Sequence, residues 1–177
     1  ARSFARLLGY QCRVVFCYKD MISRDLLQRR TTDPSGNTEW HDSPLVRAAV
    51  QGDIAVLDGI HRLSAGTLYS TLGPLLTDRE AVLPDTSRLV SADRWASLSK
   101  LHGEVWLAEN GIRSIHPCFR CVACAEPAAA KGAYWLDEEV ASLFHFHEVA
   151  PLPAEEHIEL LGNRGMAKEH ICRGLAM

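Results

Sequence analysis

The residues best placed for chemistry lie in the stretch Asp53 to Arg62, which reads DIAVLDGIHR. Its apolar run, Ile54 to Leu57, does not alternate with polar residues, which predicts a strand covered on both faces, as in a parallel sheet between layers of helices. Asp58 follows at the carboxyl end, where such sheets bind ligands. A carboxylate there suits Mg²⁺, which proteins hold with one or two carboxylates and substrate phosphates. The alternative is an Asp that only opens the turn after the strand.

Three cysteines form a second candidate site. Cys118, Cys121 and Cys124 have a C-x₂-C-x₂-C spacing that iron–sulfur and zinc sites use in part. The segment 118–125, CFRCVACA, also reads as a buried strand, in which Cys118 and Cys124 would point to one face and Cys121 to the other. A thiol metal-binding protein is therefore the least favoured interpretation, and we predict no conventional zinc or iron site.

Other catalytic patterns are weaker. His145 and His147 share a face of a predicted strand over 145–149, but no third ligand converges with them. The sequence has no G-x-S-x-G elbow and no histidine spaced for a nucleophile, which argues against a hydrolase of the serine–histidine–acid type.

The elements on either side of the apolar run are clearly bounded. Ser43 as N-cap, Pro44 at the first helical position and Gly52 as the stop predict a helix before the strand. Ser64 predicts the N-cap of a helix after it, kinked at residues 73–74, a Gly-Pro pair. Helix, strand and helix alternate, as in an α/β layer.

The rest of the chain predicts further elements with ordinary signals. They are a helix over 2–8 with Phe4, Leu7 and Leu8 on its apolar face, a strand over 12–18, a helix over 19–30, a hairpin around the turn 33–37, a second hairpin around Pro84 and Asp85, a polar stretch to Gly103 with a strand at 105–108 (VWLA), a helix over 137–144 and a helix over 153–161 that Gly162 ends.

Composition bounds the function classes. The chain has 177 residues, of which 47% are hydrophobic and 23% charged, typical of one soluble domain with a core. Its net charge of −3 provides no basic surface for nucleic acid, and no apolar run approaches the ~18 residues of a membrane span. The six cysteines have no secretory signal beside them, which favours free thiols in a reducing compartment.

Beyond these local signals, DIAVLDGIHR resembles the second nucleotide motif (Walker B) of AAA+ ATPases. Four segments are similar to the dynein-related AAA modules: 21–40, MISRDLLQRRTTDPSGNTEW; 43–68, SPLVRAAVQGDIAVLDGIHRLSAGTL; 115–120, IHPCFR; and 125–127, AEP. The similarity covers residues 1–161 and assigns 80–115 to an insertion. It implies a P-loop NTPase-like three-layer α/β sandwich, a parallel sheet with helices on both faces. We expect the sequence to start after the phosphate-loop strand and to stop before the helical lid, with 162–177 as lid or tail.

The resemblance also implies roles for single residues in binding ATP and Mg²⁺. Asp58 would hold Mg²⁺, and Asp58 and Gly59 would lie at the nucleotide. Gly59 takes the place of the glutamate that commonly activates the attacking water, and glycine has no side chain to act as a base. Glu126 matches the polar sensor position, often Asn, and would place a negative charge near the phosphates.

The arginine finger, which stabilises charge at a neighbouring subunit's site, has no counterpart at the matching position. That position is Leu143 in VASLF. Arg113 and Arg120 remain as candidate inter-subunit arginines, although a structural or solvent-facing role is the simpler interpretation of each.

Two functions therefore stand. The first is an ATP-binding module of a larger AAA+ ATPase, with ATP hydrolysis by the parent protein and a phosphate loop that lies upstream, since these residues contain no G-x-x-x-x-G-K-[ST] run. The second is a hydrolysis-silent module kept for ring assembly or as a scaffold between neighbouring AAA+ modules. We expect the chain alone to be inactive and its sheet to be split where the phosphate-loop strand would lie. The resemblance implies a mitochondrial location in eukaryotes; otherwise we expect an intracellular, soluble protein.

Overall fold

Eight strands and eight α-helices lie in residues 2–126, 135–150 and 152–162, the parts of the chain that the computed structural model describes. The chain divides into two units, Ala1–His145 and Phe146–Met177. The helices are α1 (Arg2–Leu7), α2 (Ser23–Leu27), α3 (Pro44–Gln51), α4 (Ala65–Gly73), α5 (Ala92–His102), α6 (Glu104–Glu109), α7 (Glu138–Ser142) and α8 (Ala154–Gly162). The strands are β1 (Cys12–Phe16), β2 (Gln28–Thr32), β3 (Thr38–Asp42), β4 (Ile54–Asp58), β5 (Ala81–Val82), β6 (Arg88–Val90), β7 (Ile112–Ser114) and β8 (Arg120–Cys124).

The central sheet is parallel and has the order β1-β4-β8. Its register aligns Phe16, Asp58 and Cys124, so these three strands end at the same edge. Glu126 follows two residues after β8. The prediction that Asp58 ends a central parallel strand beside the strand that leads to Glu126 is confirmed.

The strand β4 is covered on both faces, as its uninterrupted apolar run predicted. Ala55 and Leu57 belong to the larger hydrophobic cluster, which also contains residues of α3 and α4. Ile54 and Val56 belong to a smaller cluster with Ala5 of α1. The alternation of β4 therefore distributes its side chains between two cores, and an α/β sheet with helices on both faces results.

The helix α3 forms as its capping residues predicted. The hydroxyl of Ser43 accepts a hydrogen bond from the backbone N–H of Val46 at 3.2 Å, which satisfies one of the free donors of the first turn. Gly52 ends the helix in the left-handed conformation with φ of 80°. The strand β4 starts two residues later, so this cap fixes where the run toward Asp58 begins.

The helix α4 is capped by Ser64, whose hydroxyl accepts from the Thr67 N–H at 3.1 Å. At Pro74 the backbone changes to a π-helix over Pro74–Asp78. Proline has no N–H to continue the α-helical ladder, which explains why the change occurs there. The change of helix type falls at residues 73–74, where the sequence predicted a kink.

The prediction of a helix over 19–30 is wrong at both ends, because α2 spans only Ser23–Leu27. Gln28 begins β2, which pairs antiparallel with β3 around the predicted turn. The side chain of Gln28 is buried, where its amide N–H donates to Asp42 at 3.1 Å and to Asp85 at 2.9 Å. These long-range bonds, together with the hairpin ladder, override the helical pattern of the segment.

The region 80–115 contains the predicted second hairpin, β5 with β6, and two features that the sequence interpretation missed. VWLA is helical, within α6, and the polar stretch before it is α5. Ser91 explains the start of α5, since its hydroxyl accepts from the Arg94 N–H at 3.3 Å. The strand β7 then pairs parallel with β6 and completes a three-stranded sheet of its own.

Two further expectations are wrong. In α1 the predicted apolar face is exposed, with Phe4, Leu7 and Leu8 at 56, 84 and 55%, and the buried residue is Ala5. A small side chain lets the helix approach Ile54 and Val56 closely. The segment 145–149 is not a strand, and no strand in the described residues pairs with it. An extended segment without a ladder partner has no backbone hydrogen bonds to hold it as a strand.

The last two described helices follow their predictions. Asp137 caps α7 by accepting from the Val140 N–H at 2.8 Å, and α8 ends at Gly162. Residues 163–177, most of the predicted lid or tail, lie outside the described residues, and the division at 161 stays a prediction. Within the described parts, no helix is long and apolar enough to cross a membrane.

Candidate functional site

The backbone fixes Asp58 and Gly59 from both neighbouring strands. The Cys17 N–H donates to the Asp58 carbonyl at 2.8 Å, and the Gly59 N–H donates to the Cys124 carbonyl at 2.9 Å. The side chain of Asp58 is exposed at this edge. A carboxylate is thus held at the carboxyl end of the sheet, open to a ligand.

Gly59 adopts the left-handed conformation, with φ of 83° and ψ of 40°. It turns the chain from β4 into a short 3₁₀ turn over Ile60–Arg62. The turn carries Arg62 back over Gly59, where its Nη1 donates to the Cys17 carbonyl at 3.3 Å. A Cβ at residue 59 would lie 3.2 Å from that same Nη1.

Glu126 is held beside the same turn by His61. The Glu126 N–H donates to His61 Nδ1 at 3.1 Å, and His61 Nε2 lies 3.6 Å from Glu126 Oε1. In the neutral ring the proton is therefore assigned to Nε2, toward the carboxylate. The His61 side chain is 18% exposed and that of Glu126 77%, so His61 is the fixed partner.

Cys17 lies next to the site as a buried thiol. Burial and then the charge of Asp58 raise its pKa to about 11, although the charge of Arg62 acts to lower it. A thiol with this pKa stays protonated at neutral pH and is a poor nucleophile and metal ligand.

The cysteine run has a different geometry from the one that its spacing predicted. Cys118 lies before β8, in a turn where its N–H donates to His116 Nδ1 at 3.1 Å, so it shares no strand face with Cys124. Cys121 is partly buried, and burial and then Cys17 raise its pKa to about 12. In the residues that the structure describes, no three His, Cys, Asp or Glu side chains are grouped to hold a metal.

The two candidate inter-subunit arginines make bonds within the chain. Arg113 forms a two-point ion pair with Asp42, with Nη1–Oδ1 at 3.2 Å and Nη2–Oδ2 at 2.5 Å. Burial would raise the pKa of Asp42, but hydrogen bonds from Arg113 and Gln28 and the Arg113 charge lower it below its usual value. Arg120 donates to two nearby carbonyls, at 2.7 and 2.8 Å. A role of either arginine toward a neighbouring subunit stays a prediction.

Leu143, at the position of the arginine finger, packs against the larger hydrophobic cluster. His145 ends the first unit and His147 belongs to the second, and no strand places them on a shared face. Leu143 is apolar and therefore supplies no charge at the position of the arginine finger.

Two cavities of about 710 and 720 Å³ lie away from this edge. One is enclosed by α2, α4, the π-helix and the β5–β6 hairpin, and the other surrounds the pair of Asp42 and Arg113. Asp58, Gly59 and Glu126 line neither of them.

The family model described as the AAA domain of the dynein-related subfamily matches residues 1–144. The chain belongs to this family. The match includes Asp58, Gly59 and Glu126 as well as the whole central sheet.

Among curated proteins, this AAA module is 46% identical over 165 residues to von Willebrand factor A domain-containing protein 8 of Mus musculus. The alignment covers 91% of the chain and 9% of the mouse protein, so the module spans a small part of that relative. Among solved structures, it is similar to a "putative ATPase" from Cytophaga hutchinsonii, with a TM-score of 0.55 and 16% identity over 85% of this chain and 37% of that one. That likeness confirms the fold class, an α/β module with a parallel sheet flanked by helices.

The sequence interpretation of the AAA module missed His61 and Arg62 as neighbours of the site. His61 contacts a residue 65 positions away, and Arg62 contacts the end of β1, 45 positions away. The only local signal was their place within the stretch after Asp58. Their contacts depend on the left-handed turn at Gly59, which composition and periodicity do not specify.

Proposed function

We propose that this AAA module is the ATP-binding part of a larger AAA+ ATPase, with DIAVLDGIHR as its Walker B segment. The observation that carries the proposal is the position of Asp58, exposed at the carboxyl end of a parallel strand between two others. That is where open α/β sheets bind ligands.

The residues present fit a magnesium nucleotide. Asp58 offers exposed carboxylate oxygens and makes no salt bridge in the described residues, so it can coordinate a hard cation. When bound, ATP would supply the phosphoryl group, and Mg²⁺ would neutralise part of the negative charge on its phosphates. No G-x-x-x-x-G-K-[ST] run occurs within these 177 residues. The backbone amides and the lysine of a phosphate loop would therefore have to come from residues outside this sequence.

In this proposal Gly59 and Glu126 make the nucleotide site of this module slow or inactive in ATP hydrolysis. Without a side chain, Gly59 cannot take a proton from the attacking water, and general-base catalysis of that kind contributes ~10²–10⁴-fold. Glu126, held by His61, would take the sensor position beside the phosphates. A carboxylate there repels phosphate oxygens rather than binding them.

The second candidate function is a hydrolysis-silent module for ring assembly or scaffolding. Gly59 favours it, since the missing base leaves binding without turnover. Its partners would be neighbouring AAA+ modules or subunits, and Arg113 and Arg120 remain the proposed contacts. If Arg113 contacted a neighbour, it would have to release Asp42.

We also propose a mitochondrial location, which rests on the family resemblance alone. Fractionation of cells that express the tagged full-length protein tests it, and recovery outside the mitochondrial fraction contradicts it.

Nucleotide binding by the full-length protein tests the function. Calorimetry with ATP should show binding that requires Mg²⁺ and is weakened about tenfold or more by Asp58→Asn. Asp93→Asn, an exposed carboxylate in the first turn of α5, is the matched control and should bind like the wild type. Binding that Asp58→Asn leaves unchanged would contradict the role of Asp58, and no binding at all would favour the scaffold.

A further inference from the structure

Arg62 occupies the space on the side-chain side of Gly59. A Cβ built on Gly59 would lie 3.2 Å from Nη1, 3.3 Å from Cζ and 3.4 Å from Nε of Arg62. These are three guanidinium atoms at or inside ordinary van der Waals contact. A cationic group therefore lies directly beside the position that the Cβ of a larger residue 59 would occupy.

The chain holds that group in place by two bonds. The Arg62 N–H donates to the Gly59 carbonyl at 3.1 Å, which closes the 3₁₀ turn. Nη1 donates to the Cys17 carbonyl at 3.3 Å, which ties the guanidinium to the end of β1. Ile60 within the turn is buried and anchors it to the core. The arginine is thus positioned from β1 and β4 together.

Most of the binding capacity of Arg62 remains available. A guanidinium has five N–H donors, and the bond to Cys17 uses one of them. In the described part of the chain Arg62 forms no ion pair, and the residue is exposed. Its planar donors match phosphate oxygens, and an arginine suits a terminal phosphate better than a lysine because two parallel bonds can form.

We propose that Arg62 binds the terminal phosphate of the nucleotide held at Asp58. The inference rests on the proposed function and goes beyond it, because it places a phosphate-binding cation beside residue 59, the position that commonly supplies the catalytic base. Such a site favours a nucleoside triphosphate over the diphosphate, because the Arg62 guanidinium binds oxygens of the terminal phosphate. The site also retains the triphosphate, because a guanidinium does not accept a proton from an attacking water. Arg62 is a binding residue in this account, and Gly59 is the small residue that leaves room for it.

The experiment measures dissociation constants of fluorescent ATP and ADP analogues with Mg²⁺ on the full-length protein. Arg62→Ala should weaken ATP binding by about 10- to 100-fold, the effect of one charge-assisted contact, and leave ADP binding within about twofold. Arg62→Lys should recover part of the loss. Arg29→Ala, an exposed arginine on β2, is the matched control and should change neither constant. The thermal midpoint of each variant checks that it folds.

The outcomes separate the two proposals. Unchanged dissociation constants for ATP and ADP in a folded Arg62→Ala protein would overturn the role of Arg62 and leave the nucleotide site standing. Equal losses for ATP and ADP would also overturn it, since the contact would then not be to the terminal phosphate. A wild-type protein that binds neither nucleotide would overturn both this inference and the ATP-binding function.

Discussion

Replacing Gly59 by alanine tests how the turn after β4 is built. Gly59 has φ of 83°, in the left-handed region, where a residue with a Cβ costs about 1–2 kcal/mol. The new methyl group would also meet Arg62, and moving that side chain loses its bond to the Cys17 carbonyl, about 0.5–1.5 kcal/mol. The smaller conformational freedom of alanine in the unfolded chain offsets about 0.4–1 kcal/mol. We expect a net loss of about 2 kcal/mol in the free energy of unfolding, within a range of about 0.5–3 kcal/mol.

Urea denaturation followed by tryptophan fluorescence measures this loss, and a double-mutant cycle separates its two causes. In an Arg62→Ala background the Gly59→Ala loss should shrink by about 1 kcal/mol, because the contact is already gone. Gly66→Ala is the control, since Gly66 lies in α4 without a positive φ and has open space around its Cβ position. It should be neutral or slightly stabilising. An undiminished loss in the Arg62→Ala background would refute the contact, and no loss in either background would refute the backbone strain.

Three further predictions concern other parts of the chain. The 177-residue chain should release no phosphate from ATP, and Gly59→Glu should not restore turnover, because the phosphate-positioning groups are still missing; measurable release from either protein would contradict this. Gly52→Ala should be more destabilising than Gly59→Ala in the same urea assay, since its φ is 80° and the new Cβ would meet the His116 ring. The lowered pKa of Asp42 means that its ion pair stabilises the fold at pH values above the unfolded-state pKa of about 4, and that this stability is lost as the pH falls through the folded-state pKa. Asp42→Asn should therefore reduce the dependence of the free energy of unfolding on pH in this acid range, and an unchanged dependence would contradict the prediction.

The best-predicted elements have local causes. Ser43, Pro44 and Gly52 act within one turn of α3, and the run Ile54 to Leu57 specifies a strand that is buried on both faces. The position of Asp58 at the sheet edge follows from that strand alone. Such signals are visible in the sequence because each residue acts on backbone groups a few positions away.

The mistaken predictions have causes that lie far along the chain. The strand β2 starts at Gln28 because Gln28 bonds to Asp42 and Asp85, which are 14 and 57 positions away. The apolar pattern of α1 pointed to the wrong face because a close approach to β4 selects Ala5. Periodicity reports the amphipathic character of a segment, but not the partner that it meets or the distance of approach.

The candidate site divides in the same way. The resemblance singled out Asp58, Gly59 and Glu126, and the structure brings them to one edge of the sheet. The two side chains that surround them, His61 and Arg62, depend on how the chain turns at a glycine with positive φ. A turn of that kind can direct side chains to either neighbouring strand, so only the folded structure identifies the carbonyl of Cys17 and the backbone N–H of Glu126 as their partners.

The buried amide of Gln28 has a consequence for cutting and grafting this chain. Its Nε2 donates to Asp85, and its Oε1 accepts from the Asp85 N–H at 3.0 Å, so both halves of the amide are bonded to the first turn of the 80–115 segment. Deleting that segment would remove both bonds between the buried Gln28 amide and Asp85. Each buried polar group left unpaired lowers the free energy of unfolding by about 1–3 kcal/mol. The 80–115 segment therefore contributes to the stability of the fold and cannot be removed without loss. A shortened version would have to keep Asp85 and its turn, or replace Gln28 by an apolar residue of similar size at the same time.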